Sequence, residues 1–231
     1  MKPEKGGPMR RSRVVGTVAV AVLVLTGCGD VNPGAAATVD GEVIPLSEVD
    51  AMARAFCAAD VATAKLQGQE PSPRPTSDYR IRVLNTLVDG ELADMAVEDL
   101  GLDVPPSAYG QDLSQFDDLF AELSDDEAEA LRDYIEAFGR LQASTAAIGR
   151  EQGSTDAAPD AATAAGQKYL ARLADETDIE LDPRFGDMAS GQVVGGSGSL
   201  SVPAVADEQT SADAGADGGD VDDLPATQVC S

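Results

Sequence analysis

The 231-residue chain contains no histidine and no tryptophan, and aromatic residues make up only 4% of it. Without histidine there is no ordinary general base, no Ser–His–Asp triad, no histidine-ligated zinc and no histidine-held haem. "GGSGS" carries no lysine, whereas a phosphate-cradling loop needs one between a strand and a helix. Basic residues are scarce too, 16 Lys and Arg against 41 Asp and Glu, which gives a net charge of −25. That balance argues against nucleic acid as a partner. No D-x-[DN]-x-[DN]-G loop closing on a glutamate offers a calcium site. Adjacent acids such as Asp117-Asp118 and Asp125-Asp126 read as solvated helix surface rather than as acid–base pairs. No cofactor or metal site is read from the sequence, and the chain is not read as an enzyme.

The basic residues that exist crowd the start. Lys2, Lys5, Arg10, Arg11 and Arg13 precede an uncharged apolar run, Val14 to Leu25. The run is too short to span a bilayer, which takes ~20 apolar residues, but it suits the core of a signal peptide. "LTGC", Leu25 to Cys28, resembles the lipobox of bacterial lipoproteins, in which the cysteine sulfur receives a diacylglycerol. Ser12 and Arg13 follow Arg10-Arg11 where a twin-arginine signal needs an apolar pair. The expectation is a leader over 1–27, lipid attachment at Cys28 and a tether over 28–35. The mature chain is then anchored outside the cytoplasmic membrane, each buried methylene contributing ~0.8 kcal/mol. Residues 1–27 hold five basic residues and one acid, so their removal leaves 11 basic and 40 acidic residues, a net charge of −29. Such a charge also disfavours anionic lipid as a partner beyond the anchor itself. Of the other cysteines, Cys57 falls in an expected helix and Cys230 near the C-terminus. An oxidising compartment permits a disulfide between them; a pair and two inert thiols fit the sequence about equally.

The other end has the opposite composition. No Lys or Arg follows Arg184, and no aromatic residue follows Phe185. Residues 187–231 are rich in Gly, Ser, Ala and Asp and offer too little apolar surface to offset the entropy of ordering, so a disordered tail is expected. "LPATQ" resembles a sortase signal, but Gln228 stands where the glycine belongs and no apolar stretch follows.

Residues 36–186 remain as one domain, enough to bury around 70% of the unfolded surface. Asp40-Gly41 predicts a two-residue type I′ turn between short strands. Ser47 is the expected cap of a first helix, to about Leu66, with Val49, Met52, Phe56 and Ala59 inward. "QGQEPSPRPTSD" interrupts it with prolines. Ser77 is the expected cap of a second helix with Ile81, Leu84, Val88, Leu92 and Met95 as its stripe, and Gly101 ends it. A third helix is expected from Ser107, turning Tyr109, Leu113, Phe116, Phe120 and Leu123 inward. "SDDE" from Ser124 is a capping box that opens a fourth, with Leu131, Ile135, Phe138 and Leu141 on one face. "GREQGSTDAAPD" reads as a loop, and a fifth helix spans about Ala161 to Glu176. Ile179 and Leu181 alternate with acids as in a half-buried strand. The expected fold is therefore mainly α: about five helices, with a small antiparallel sheet made by the N-terminal hairpin and the late strand.

Three stretches carry a resemblance. "ATVDGEVIPLSEVD" is similar to the opening of SurA-type chaperone domains. "RVLNTLVDGELADMAVEDLGLDVPPSAY" resembles their next segment, and "IELDPRFG" the closing strand of SurA- and PrsA-like foldases. In those foldases a parvulin-type isomerase domain precedes the closing strand. Here only about fifty residues separate Ser124 from it, and they read as helix. The resemblance implies a chaperone scaffold without the isomerase, one that holds extended, unfolded exported polypeptides in an apolar groove. Met52, Phe56, Met95, Phe116 and Phe120 are the candidates for lining that groove, with an ordinary core as the competing reading for each. An adaptor lipoprotein docking one envelope partner ranks second, and a prolyl isomerase with an unusual site third.

Overall fold

The computed structural model describes residues 33–153, 158–195, 221 and 224–231. The expected leader, Cys28 and the tether up to residue 32 lie outside them, as does most of 196–223. Strands β1 (Ala35–Val39) and β2 (Glu42–Pro45) form the first hairpin. Asp40 and Gly41 sit at φ 48° and 87°, both positive, as a type I′ turn requires. Ala36 is an extra residue in β1: Ala35 pairs with Pro45, and pairing resumes at Ala37 with Ile44.

Helix α1 (Leu46–Leu66) follows without a loop. Its N-cap is Pro45, at φ −69° and ψ 137°, and no side chain caps it; Ser47 lies inside the first turn. The proline ring holds the extended conformation that a cap position needs, so the helix starts one residue before the serine. The Leu46 N–H donates instead to the Gly34 carbonyl, at 2.7 Å. The same correction applies downstream. Strand β3 (Arg74–Pro75) leads into α2 (Thr76–Asp99), whose N-cap is Pro75 rather than Ser77. Gly101 ends α2 in the left-handed conformation, φ 62°. The Gly101 and Leu102 N–H groups donate to the Glu98 and Val97 carbonyls at 3.0 and 2.9 Å, the paired bonds of a Schellman motif. Arg80 Nε lies 2.8 Å from Asp50 Oδ1 and ties α2 to α1; the approach is an ion pair, too oblique for a hydrogen bond.

The expected third helix is broken. Pro105-Pro106 and Gly110 reduce it to two 3-10 turns, Pro106–Ala108 and Ser114–Phe116, and one short helix, α3 (Asp117–Ala121). Phe120 is buried there, whereas Phe116 points outward and is 38% exposed. The capping box then forms as the sequence requires. The Ser124 N–H donates to Glu127 Oε2 at 2.9 Å, and the Glu127 N–H to Ser124 Oγ at 3.4 Å. It opens α4 (Asp125–Gln152), which runs on into the stretch expected to be a loop.

Helix α5 (Pro159–Glu176) starts at a proline, where the missing N–H costs nothing. It lies against α4 through small residues. A Cβ on Gly149 would overlap the Ala162 carbonyl oxygen, and one on Gly166 the Thr145 carbonyl oxygen. Strand β4 (Ile179–Leu181) returns to pair antiparallel with β1, Thr38 opposite Glu180. The sheet order is β2-β1-β4. Among the described residues the architecture is thus mainly helical, five α-helices closed by a small antiparallel sheet. Val39, Val49, Val83, Leu84, Leu92, Ile148 and Phe185 fill the central core.

Part of the expected disordered tail is ordered. Strands β5 (Asp187–Ala189) and β6 (Gln192–Val194) form a second hairpin around Ser190 and Gly191, both at positive φ. Composition undervalued this segment because one residue, Val193, carries its burial, being 3% exposed. At the C-terminus, β7 (Val229–Cys230) pairs with β3, and Cys230 is disulfide-bonded to Cys57. That covalent bond holds a segment whose own apolar surface would not. Among the described residues no helix is long and apolar enough to cross a membrane.

Candidate functional site

Three helices and one turn enclose a cleft of about 720 Å³. Each helix contributes a stripe at helical spacing. Arg82, Asn85, Thr86 and Asp89 come from α2; Phe138, Leu141, Gln142 and Thr145 from α4; Thr163, Gln167, Leu170 and Ala171 from α5. The tip of the β5–β6 hairpin, Ser190 to Gln192, forms the fourth side. Asn85 fixes that side. Its Oδ1 accepts from the Val193 N–H at 2.7 Å, and its Nδ2 donates to the Val193 carbonyl at 3.3 Å. Thr86 Oγ1 and the Tyr134 hydroxyl, 3.0 Å apart and buried, join α2 to α4.

Several polar groups of the cleft are thereby used up. Thr145 and Thr163 donate back to their own helices, to the Leu141 and Pro159 carbonyls at 2.7 and 3.0 Å. Others are not used. The side chains of Gln142, Gln167 and Gln192 and the carboxyl of Asp89 make no hydrogen bond or ion pair with the described residues. Burial pushes the Asp89 carboxyl up to about 6. The floor beneath them is apolar, from Leu141, Leu170 and the ring of Phe138. Phe138 is 40% exposed and stacks on Tyr134 at 6.1 Å. The cleft therefore offers free carboxamides and one acidic group over an apolar base.

The groove residues expected from sequence lie elsewhere. Met52 is buried in the central core, and Phe56 and Met95 pack against that core. The Phe56 ring meets Tyr134 edge-on at 4.4 Å. Phe120 sits in a smaller cluster with Ala55, Ala59, Ala128 and Leu131, under the Arg132 guanidinium at 4.3 Å. Phe116 is on the surface. The five are not brought together, and none lines the cleft. Of the lining residues only Phe138, Leu141 and Leu170 stood out in the sequence, as apolar positions of the fourth and fifth helices. The polar positions carried a signal of their own: the i, i+3, i+4, i+7 recurrence of Arg82, Asn85, Thr86 and Asp89 on one helix face.

Cys57 and Cys230 form a disulfide with a Cα–Cα distance of 5.5 Å. Beside it lies a smaller recess of about 220 Å³, lined in part by Asp60, Glu70 and Arg74. Asp60 is engaged, since its Oδ2 accepts from the Tyr79 hydroxyl at 2.6 Å. Burial first, then that bond and charge, push the Tyr79 phenol up to about 12. On α2, burial also raises the carboxyls of Glu91 and Asp94, and Arg140 opposes the rise from 2.9 Å beyond Asp94. Among the described residues no three His, Cys, Asp or Glu side chains group as a metal would need. Cys28 lies outside the described residues. Comparison of the chain with family models, with curated proteins and with solved structures gives no match in any of the three.

Proposed function

We propose that the chain is a membrane-tethered, extracytoplasmic chaperone-like lipoprotein that holds extended segments of exported polypeptide in the α2–α4–α5 cleft. The observation that carries this reading is the set of three unengaged carboxamides, Gln142, Gln167 and Gln192, around an apolar floor. A carboxamide has the donor and acceptor of a peptide group, so it pairs with an extended backbone whatever the sequence. The floor takes alternate side chains by burial. The Cys57–Cys230 disulfide supports a location outside the cytoplasm, where such bonds persist. The resemblance to SurA- and PrsA-like chaperone domains points the same way, and so does the lipobox-like sequence before Cys28. The reading assigns the chain binding and no catalysis.

A photo-crosslinking side chain at position 142 tests it in cells. The reading requires a smear of many exported products. One dominant product instead supports an adaptor that docks a single envelope partner, and no product in the oxidised protein overturns both. In solution, the protein should suppress aggregation of a reduced, unfolded substrate at near-stoichiometric ratio. No suppression at large excess would also count against it.

A further inference from the structure

Carboxylates on the described part of this acidic chain are mostly solvated or held. Asp50 has Arg80 at 2.8 Å, Asp94 has Arg140 at 2.9 Å, and Asp182 has Arg184 at 2.8 Å. Asp60 has the Tyr79 hydroxyl. Asp89 is different. It is half-buried, it lies on the wall of the α2–α4–α5 cleft, and no hydrogen bond or ion pair reaches it from the described residues. The one basic residue among the lining residues is Arg82. Seven residues along the same helix set it about 10 Å away along the axis, and it makes no ion pair with Asp89. Burial is the sole cause of the rise in the Asp89 carboxyl to about 6. An unpaired carboxyl half-withdrawn from water is unfavourable in the free protein. The penalty falls when a cation comes to it.

We infer that Asp89 is a cation-accepting subsite: the cleft selects extended peptide segments that carry a lysine or arginine, whose charged end pairs with the Asp89 carboxylate. The inference rests on the peptide-binding reading and names the class of peptide. The geometry suits it. Long basic side chains lay their methylenes along apolar surface and keep the charge at the end. Here Leu141, Leu170 and Phe138 provide that surface beside Asp89. The carboxamides engage the backbone, and Asp89 reads one side chain. The wider field assists, because the acidic chain attracts basic segments before contact. Asp89 makes the attraction local.

The test compares labelled peptides of equal length, one with a central lysine and one with norleucine in its place. Fluorescence anisotropy is read with the full chain, its disulfide intact. The lysine peptide is expected to bind about tenfold more tightly, roughly one charge-assisted contact. In Asp89→Asn that preference should vanish, the lysine peptide binding no more tightly than the norleucine peptide. Asp118→Asn, at an exposed site outside the cleft, should keep the preference. Equal affinity of the two peptides, or a preference that survives D89N, overturns the inference and leaves peptide binding standing. A preference lost equally in D118N reassigns it to overall charge and also overturns the subsite. Failure of both peptides to bind overturns the peptide-binding reading itself, and the inference with it.

Discussion

Two glycines inside helices should respond to the same substitution with opposite signs. Gly90 is in α2, and a Cβ there meets nothing within 4 Å. Gly90→Ala gains the helix propensity of alanine, ~1 kcal/mol, partly by restricting the unfolded chain. Gly166 in α5 faces Thr145 in α4. Its Cβ would lie 2.8 Å from the Thr145 carbonyl carbon and 2.9 Å from Cγ2, where ordinary contact begins at 3.4 Å. The carbonyl oxygen is nearer still. Backbone cannot swing aside as a flexible side chain does, so α5 must move away from α4. Overpacking of this kind costs about 1–3 kcal/mol, and alanine returns ~1 of it. Gly166→Ala is therefore expected to destabilise by up to about 2 kcal/mol, while Gly90→Ala stabilises by up to about 1. Urea unfolding of both variants with the disulfide intact reads the difference. At about 2–4 °C per kcal/mol for a chain of this size, thermal melts should shift in opposite directions. A stabilised Gly166→Ala would show that α4 and α5 do not touch through these glycines, and the cleft wall they build would have to be redrawn.

Replacing both Cys57 and Cys230 by serine removes a cross-link between residues 173 apart. The chain-entropy relation gives about 5 kcal/mol as an upper figure, and detachment of the two-residue β7 from β3 should reduce the measured loss to about 2–4 kcal/mol. An unchanged urea midpoint would contradict the buried seat of Cys230. For Asp89 the sign follows from its raised carboxyl. The folded state keeps the proton up to about 6, whereas the unfolded chain loses it near 4. Among the described lining residues Arg82 is the only other charged group. Stability from this group is fully present below about pH 4 and is lost as pH rises through about 6, by about 2–3 kcal/mol. Asp89→Asn should therefore gain on the wild type between pH 5 and 7.5 in urea unfolding, and a constant difference across that range would refute the burial of the free carboxyl.

What could be read in advance was local. Asp40-Gly41, Gly101 and the Ser124–Glu127 box each declare themselves within a few residues, because turn and cap geometry depend on immediate neighbours. Ser47 and Ser77 misled for an equally local reason: each lies two residues after a proline already in the cap conformation. The cleft was less legible. An apolar stripe reports which face a helix buries but not which helices it meets, so Met52, Phe56 and Met95 fitted both groove and core, and they are core. Gln142 and Gln167 belong to no pattern the sequence shows. Only the meeting of α4 and α5 at Gly149 and Gly166 turns their faces into a wall. The order near Cys230 depends on a bond between distant residues, and composition has no access to that.

The placement of β1 at the centre of its sheet also sets a timetable. A ribosome delivers the N-terminal end first. β2 arrives within a few residues and covers one edge of β1, but the other edge must wait for β4, which is made only after all five helices. During that interval the chain carries an open strand edge, the kind that pairs with other chains. Its closing contacts are long-range, and contacts of that kind form slowly. Among the described strands, the first to be synthesised is thus among the last to be fully paired. The bond to Cys230 can follow only once residue 230 itself has been released.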